Sequence, residues 1–150
     1  MTRIIAWCVA LIGIVLVGGC GGGGANSSPP PDAAPTSPYD SGPRAGEAPV
    51  ADALAAKGAL LFKSKGCSAC HAFGQKLTCP DQKGVTMRRT AEWIEQQILH
   101  PEIMTKEDPI AKKLLAEYVQ QMPNQGVTQE EAREIIEFFK KKDHELAVIP

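Results

Sequence analysis

Hydrophobic and polar positions divide this 150-residue chain into three unlike stretches. Ile4 to Val17 is an unbroken apolar run behind the single charge of Arg3, whereas residues 21–50 carry seven prolines and hardly an apolar side chain. Apolar and polar positions begin to alternate at helical spacing only from Ala51 onward. That spacing predicts helices over 51–65, 91–99, 109–121 and 129–142, joined by irregular loops and needing no strand. Asp108-Pro109 supplies an N-cap and first-turn proline for the third of these, and Thr128 with Glu131 supplies a capping box for the last. In that last helix Ala132, Ile135, Ile136 and Phe139 fall on one face. The expected fold class is therefore all-α.

The same pattern sets the organisation. The apolar run of fourteen residues is shorter than the roughly 20 that span a bilayer, and small residues follow it, so residues 1–19 read as a signal peptide rather than a retained anchor. Val17-Gly18-Gly19-Cys20 resembles the bacterial lipobox, which implies that Cys20 is acylated and becomes the mature N-terminus. Residues 20–50 then form a disordered Pro/Gly-rich linker, reaching between about 30 Å as a coil and about 90 Å as polyproline II. Residues 51–142 form the one domain and 143–150 a tail. The domain is short of aromatic side chains, with Phe62, Phe73, Trp93, Tyr118, Phe138 and Phe139 as its whole set. A domain this small with so lean a core calls for an additional filler, such as a bound group.

Charge removes some functions without naming one. From Ala51 onward fourteen basic side chains face fourteen acidic ones. The basic surplus of a nucleic-acid binder is missing, so no nucleic-acid partner is expected.

Chemistry enters at Cys67-Ser68-Ala69-Cys70-His71. Two cysteines three apart lie on one face of a helical turn, where their sulfurs can form thioethers with two vinyl groups on one edge of a haem, and the next residue can aim an imidazole at the iron. This order and spacing make Cys67 and Cys70 the attachment points of one haem c and His71 a metal ligand. Two other readings compete. A zinc knuckle needs a second ligand pair, and Cys79, His100 and His144 form none. A thioredoxin-like dithiol needs a preceding strand and a βαβ pattern, and neither is apparent.

With these residues in hand, the region from about Asp52 to Lys142 resembles the class I cytochromes c. Gly58-Ala59-Leu60-Leu61-Phe62 is similar to that family's N-terminal helix, and Ile135 with Phe138 to the matching face of its C-terminal helix. The resemblance implies four helices wrapped around one haem. It also makes Met122, in Gln121-Met122-Pro123, the sixth ligand, with Met104 the runner-up, Met87 a weaker third, and His100 the bis-histidine alternative. Pro123 disfavours helical geometry at Met122, which lets the side chain project from a loop. Thr78-Cys79-Pro80-Asp81 is similar to the turn whose proline carbonyl accepts the proximal histidine's second N–H, which gives Pro80 that role. The pattern departs from the family at Cys79, where Gly is usual, and at Gln82, where Leu is usual. Arg88 and Trp93 fall where some relatives supply donors to the haem propionates. Cys79 is left over, either as a small buried residue or as half of a disulfide to another chain.

The function these readings imply is outer-sphere transfer of single electrons by a non-enzymatic carrier. It would be lipid-anchored in the bacterial cell envelope facing the periplasm, would meet other envelope redox proteins, and would take no small-molecule substrate. The alternative is a five-coordinate haem sensor or small haem enzyme, should Met122 not be a stable ligand.

Overall fold

A computed structural model describes residues 35–148; the signal segment, Cys20 and the chain up to residue 34 lie outside the described residues. Six α-helices follow in order: α1 Asp52–Ser64, α2 Val85–Arg88, α3 Ala91–Leu99, α4 Pro101–Glu107, α5 Pro109–Tyr118 and α6 Gln129–Val148. Three single 3₁₀ turns, Pro38–Asp40, Ala45–Glu47 and Cys67–Ala69, complete the regular structure. Among the described residues the only β pairing is an isolated bridge between Arg44 and Thr90. The all-α expectation holds.

α1 packs most extensively on α6. Gly58 makes this possible: a β carbon there would stand 1.9 Å from the Glu134 carbonyl oxygen, so only glycine lets the two backbones meet. One turn further along, Phe62 joins Phe138 and Phe139 of α6 and Phe73 of the following loop, all with ring centroids 5.4 to 6.2 Å apart. These tilted and edge-on contacts give a small core more than its area alone would. α3 closes the other side with Trp93, Ile94 and Ile98, all buried. The Trp93 indole N–H donates to Asp108 Oδ1 at 3.1 Å, and the same oxygen accepts the N–H groups of Ile110 and Ala111 at 3.0 and 2.9 Å. The N-cap of α5 is thereby locked to α3.

Four expectations need correction. First, residues 37–50 are not linker but part of the folded unit. Arg44 donates from Nη1 to Asp40 Oδ1 at 2.9 Å and to the Arg88 carbonyl at 2.7 Å, and from Nη2 to the carbonyls of Asp40 and Gly42 at 2.6 and 2.8 Å. Asp40 also receives the Thr90 N–H at 2.8 Å, and Lys140, itself buried, donates to the Pro49 carbonyl at 2.6 Å. Polar tethers, invisible to an apolar count, order this stretch. Second, α6 runs six residues beyond Lys142, so 143–148 is helix rather than tail. Buried Asp143 holds it there by accepting the backbone N–H of Thr86 at 2.9 Å and its hydroxyl at 2.7 Å, as well as the Gly84 N–H. Third, α5 stops at Tyr118 because Val119 adopts a left-handed conformation (φ 57°). Fourth, two short helices stand where loops were expected: α2, and α4 between two prolines, which uses Pro101 as a first-turn residue.

The helix crossing can be tested directly. Gly58→Ala is expected to lower the stability of the holoprotein by about 3 kcal/mol, at the upper end of overpacking costs because the obstacle is backbone. The denaturant midpoint should fall while the slope stays unchanged.

Candidate functional site

The route to the site runs straight out of α1. Gly66, in the left-handed region (φ 78°), breaks the helix and delivers the chain into the Cys67–Ala69 turn. The His71 N–H then bonds back to the Cys67 carbonyl at 3.0 Å. One turn of chain therefore presents two thiols and an imidazole from the end of a helix already clamped against α6.

These groups open onto a cavity holding about 1050 Å³ free of protein atoms, part of it open to solvent. Its wall includes Cys67, His71, Pro80, Met122, Trp93 and Phe62, and is predominantly apolar. Cys70 lies on a smaller adjoining cleft shared with Cys67, His71 and Met122. Among the methionines of the described residues only Met122 reaches this wall: Met104 is buried in the core and Met87 is more than half exposed. His100 is exposed at the α3–α4 junction, away from the cavity.

His71 is oriented by its second ring nitrogen, Nδ1 lying 2.9 Å from the Pro80 carbonyl oxygen. That leaves Nε2 for the cavity. Burial holds the imidazole below its ordinary pKa, opposed by the Pro80 bond, so the ring is neutral at neutral pH, the form a metal requires. Burial likewise pushes the Cys67 thiol up. The remaining expected residues divide. Arg88 lies on the cavity wall with Nη1 donating to the Lys83 carbonyl at 2.8 Å. Trp93 contributes its ring to that wall, but its N–H is committed to Asp108, which corrects its reading as a propionate donor.

Two residues were not singled out as site groups by the sequence. Gln97 of α3 sends its amide Nε2 to within 3.8 Å of Met122 Sδ, and its Oε1 is buried on the cavity wall without a partner. Gln82 stands beside His71 Nδ1 at 2.8 Å. Glutamines on amphipathic helices and in turns are usually solvated, so nothing in the spacing marked either one; only the departure from Leu at Gln82 hinted at a role.

The donor set fits a covalent haem: two thiols, a neutral oriented imidazole and a thioether around an apolar cavity. It fits the alternatives poorly. Among the described residues no three His, Cys, Asp or Glu side chains gather as a metal site, and no strand precedes the dithiol.

Comparison with known proteins gives the same direction. Residues 55–142 match the family model for cytochrome c. The fold resembles a cytochrome c from Rhodothermus marinus, with 29% identity and a TM-score of 0.62, covering 68% of this chain and 96% of that one. It also resembles a cytochrome c domain from Pseudomonas putida, with 28% identity and a TM-score of 0.54, covering 61% of this chain and 92% of that one. No curated protein matches the chain by sequence.

Cys79 is buried at 4% exposure, and burial pushes its thiol pKa up. At that burial a disulfide to another chain would need local opening, which favours the small buried residue. Alkylation of the native holoprotein followed by peptide mapping should leave Cys79 unmodified, with the adduct on it only after denaturation.

Proposed function

The chain belongs to the cytochrome c family, and from that membership we propose that it carries single electrons at the surface of a bacterial membrane, with haem held by Cys67, Cys70, His71 and Met122 and a lipid anchor on Cys20. The domain is a cytochrome c electron-carrier domain, and the family implies covalent haem c. The finer assignments are supported by one observation above the rest: a single apolar cavity is walled by Cys67, His71 and Met122 together, while Met104, Met87 and His100 lie elsewhere.

Haem c bound there supplies an iron couple that gains and loses one electron. The chain's own residues set how it does so. His71, fixed through Pro80, is a firm and basic ligand. The Met122 thioether is a soft, weak donor, and such a pair raises the potential relative to two histidines. With His71 and Met122 both bound to the iron no site would be left for a substrate, which favours a carrier over an enzyme. The largely apolar wall would shield a bound ring from water, and Arg88 on that wall would be available to a propionate.

The tether rests on the sequence of residues 1–20. With 37–50 folded onto the domain, only residues 21–36 remain between Cys20 and the first ordered turn. Sixteen residues span at most about 55 Å when fully extended, so the domain works close to the membrane. The partners are other envelope redox proteins in brief, weak contact.

The mature protein, made with haem-maturation machinery, should keep its haem through acid-acetone extraction and show low-spin bands in both redox states. A methionine-to-iron charge-transfer band should be present and lost in Met122→Ala; high-spin bands in the wild type would instead indicate a sensor or small enzyme. Cys20→Ser should move the protein from the membrane to the soluble fraction and remove the acyl mass from its N-terminal peptide. Release without any change in mass would refute the lipid anchor.

A further inference from the structure

His71 has a second polar neighbour besides the Pro80 carbonyl. The terminal amide of Gln82, with nitrogen assigned to the near atom, stands 2.8 Å from His71 Nδ1 and 3.2 Å from the Pro80 oxygen. Its backbone is anchored as well: the Gln82 N–H donates to the carbonyl of Ala72, the residue after His71, at 2.9 Å. Imidazole, proline carbonyl and amide thus converge on one point, and the amide is held to the same short stretch as the histidine.

Which end of the amide faces the ring depends on where the imidazole keeps its proton. With the proton on Nε2, Nδ1 is an acceptor and can take the amide N–H at 2.8 Å, but it then faces the Pro80 oxygen at 2.9 Å with no proton between them. With Nε2 on a metal, the one proton of the neutral ring must sit on Nδ1. Two N–H donors would then face each other at hydrogen-bond distance. A half-turn of the terminal amide exchanges its nitrogen for its oxygen with almost no change in shape, which removes that conflict and gives up the 3.2 Å donation to the Pro80 oxygen.

We propose that, with His71 as the proximal ligand, Gln82 turns its amide oxygen toward Nδ1, so that the Nδ1–H is shared between the carbonyls of Pro80 and Gln82. This rests on the reading of His71 as a haem ligand. Three-centre sharing of one N–H is an ordinary hydrogen-bond arrangement. A second acceptor draws the Nδ1 proton further out and leaves more negative charge on the ring, which makes it a stronger donor to iron. Stronger donation favours the ferric state, so Gln82 is a positioning residue that lowers the reduction potential.

The experiment is equilibrium redox titration of the full-length holoprotein and its Gln82→Leu and Gln82→Glu variants, with proton NMR of the His71 Nδ1–H. Leu removes both ends of the amide; Glu keeps the oxygen acceptor and removes the N–H. The potential should rise in Gln82→Leu and lie at or below wild type in Gln82→Glu. One neutral hydrogen bond is worth about 1 kcal/mol, which caps the rise in the ferrous-to-ferric ratio at fixed ambient potential at about fivefold, or about 40 mV for a one-electron couple. The Nδ1–H resonance should shift and exchange faster in Gln82→Leu. An unchanged or lower potential in Gln82→Leu, with covalent haem and the methionine band intact, overturns the proposal while leaving the carrier function standing. Loss of the methionine band in that variant would show a merely structural role and equally overturn it. A wild type without covalent haem would overturn the underlying function, and this inference with it.

Discussion

α1 and α6 approach so closely at Gly58 that the space for one methyl group is already occupied by the Glu134 carbonyl. One side of the cavity wall takes its position from that contact. Phe62 lies one turn beyond Gly58 on α1, Ile135 follows Glu134 on α6 and Phe139 lies one turn beyond Ile135; all three belong to the cavity wall. Because α1 is held against α6, the Cys67–Ala69 turn that follows it starts from a fixed point and direction. A wider crossing would move the thiols and the imidazole relative to the wall they share.

A second set of constraints is polar and comes from the ends of the described chain. The short helix α2, which carries Arg88, has too few turns to hold itself. Asp143 caps it from the last turns of α6, and Arg44 binds the Arg88 carbonyl from the segment before α1. Asp40 completes the arrangement by pairing with Arg44 and Arg89 at 2.9 and 3.2 Å. The Asp40 side chain is only 8% exposed, which separates these pairs from surface ion pairs of negligible worth. Chain outside the helical core thus shapes the rim of the cavity.

This division explains what the sequence made legible. The Cys67–His71 motif is local, and its spacing alone announces it; the Met122-Pro123 pair is local too, but the family resemblance is what singled it out. The helical faces of α1 and α6 are nearly as local, since apolar periodicity and a capping box define them. By contrast, the order of 37–50 depends on Arg88, Thr90 and Lys140, and the extension of α6 depends on Thr86. No periodicity encodes a partner forty to ninety residues away. Gln82 and Gln97 were illegible as site residues for the same reason: each matters only through the side chain it meets, His71 in one case and Met122 in the other.

The two axial candidates are held in different ways, and the difference suits a carrier. His71 follows the Cys67–Ala69 turn that leaves the clamped α1, with its ring oriented by the Pro80 carbonyl. Met122 belongs to the irregular stretch after Val119, which is tied down at its edges. Asn124 donates to the Leu99 carbonyl at 3.1 Å, Thr105 bonds Gln121 at 2.9 Å, and Lys65 reaches the Gly126 carbonyl at 3.1 Å. Those ties join the loop to α4, to the end of α3 and to the end of α1, so the distal side is positioned by the elements that position the proximal one. A one-electron carrier works fastest when its ligand distances change little between oxidation states. With haem bound as proposed, tying the Met122 thioether to the same frame as the fixed imidazole would limit that change without placing the methionine in a helix.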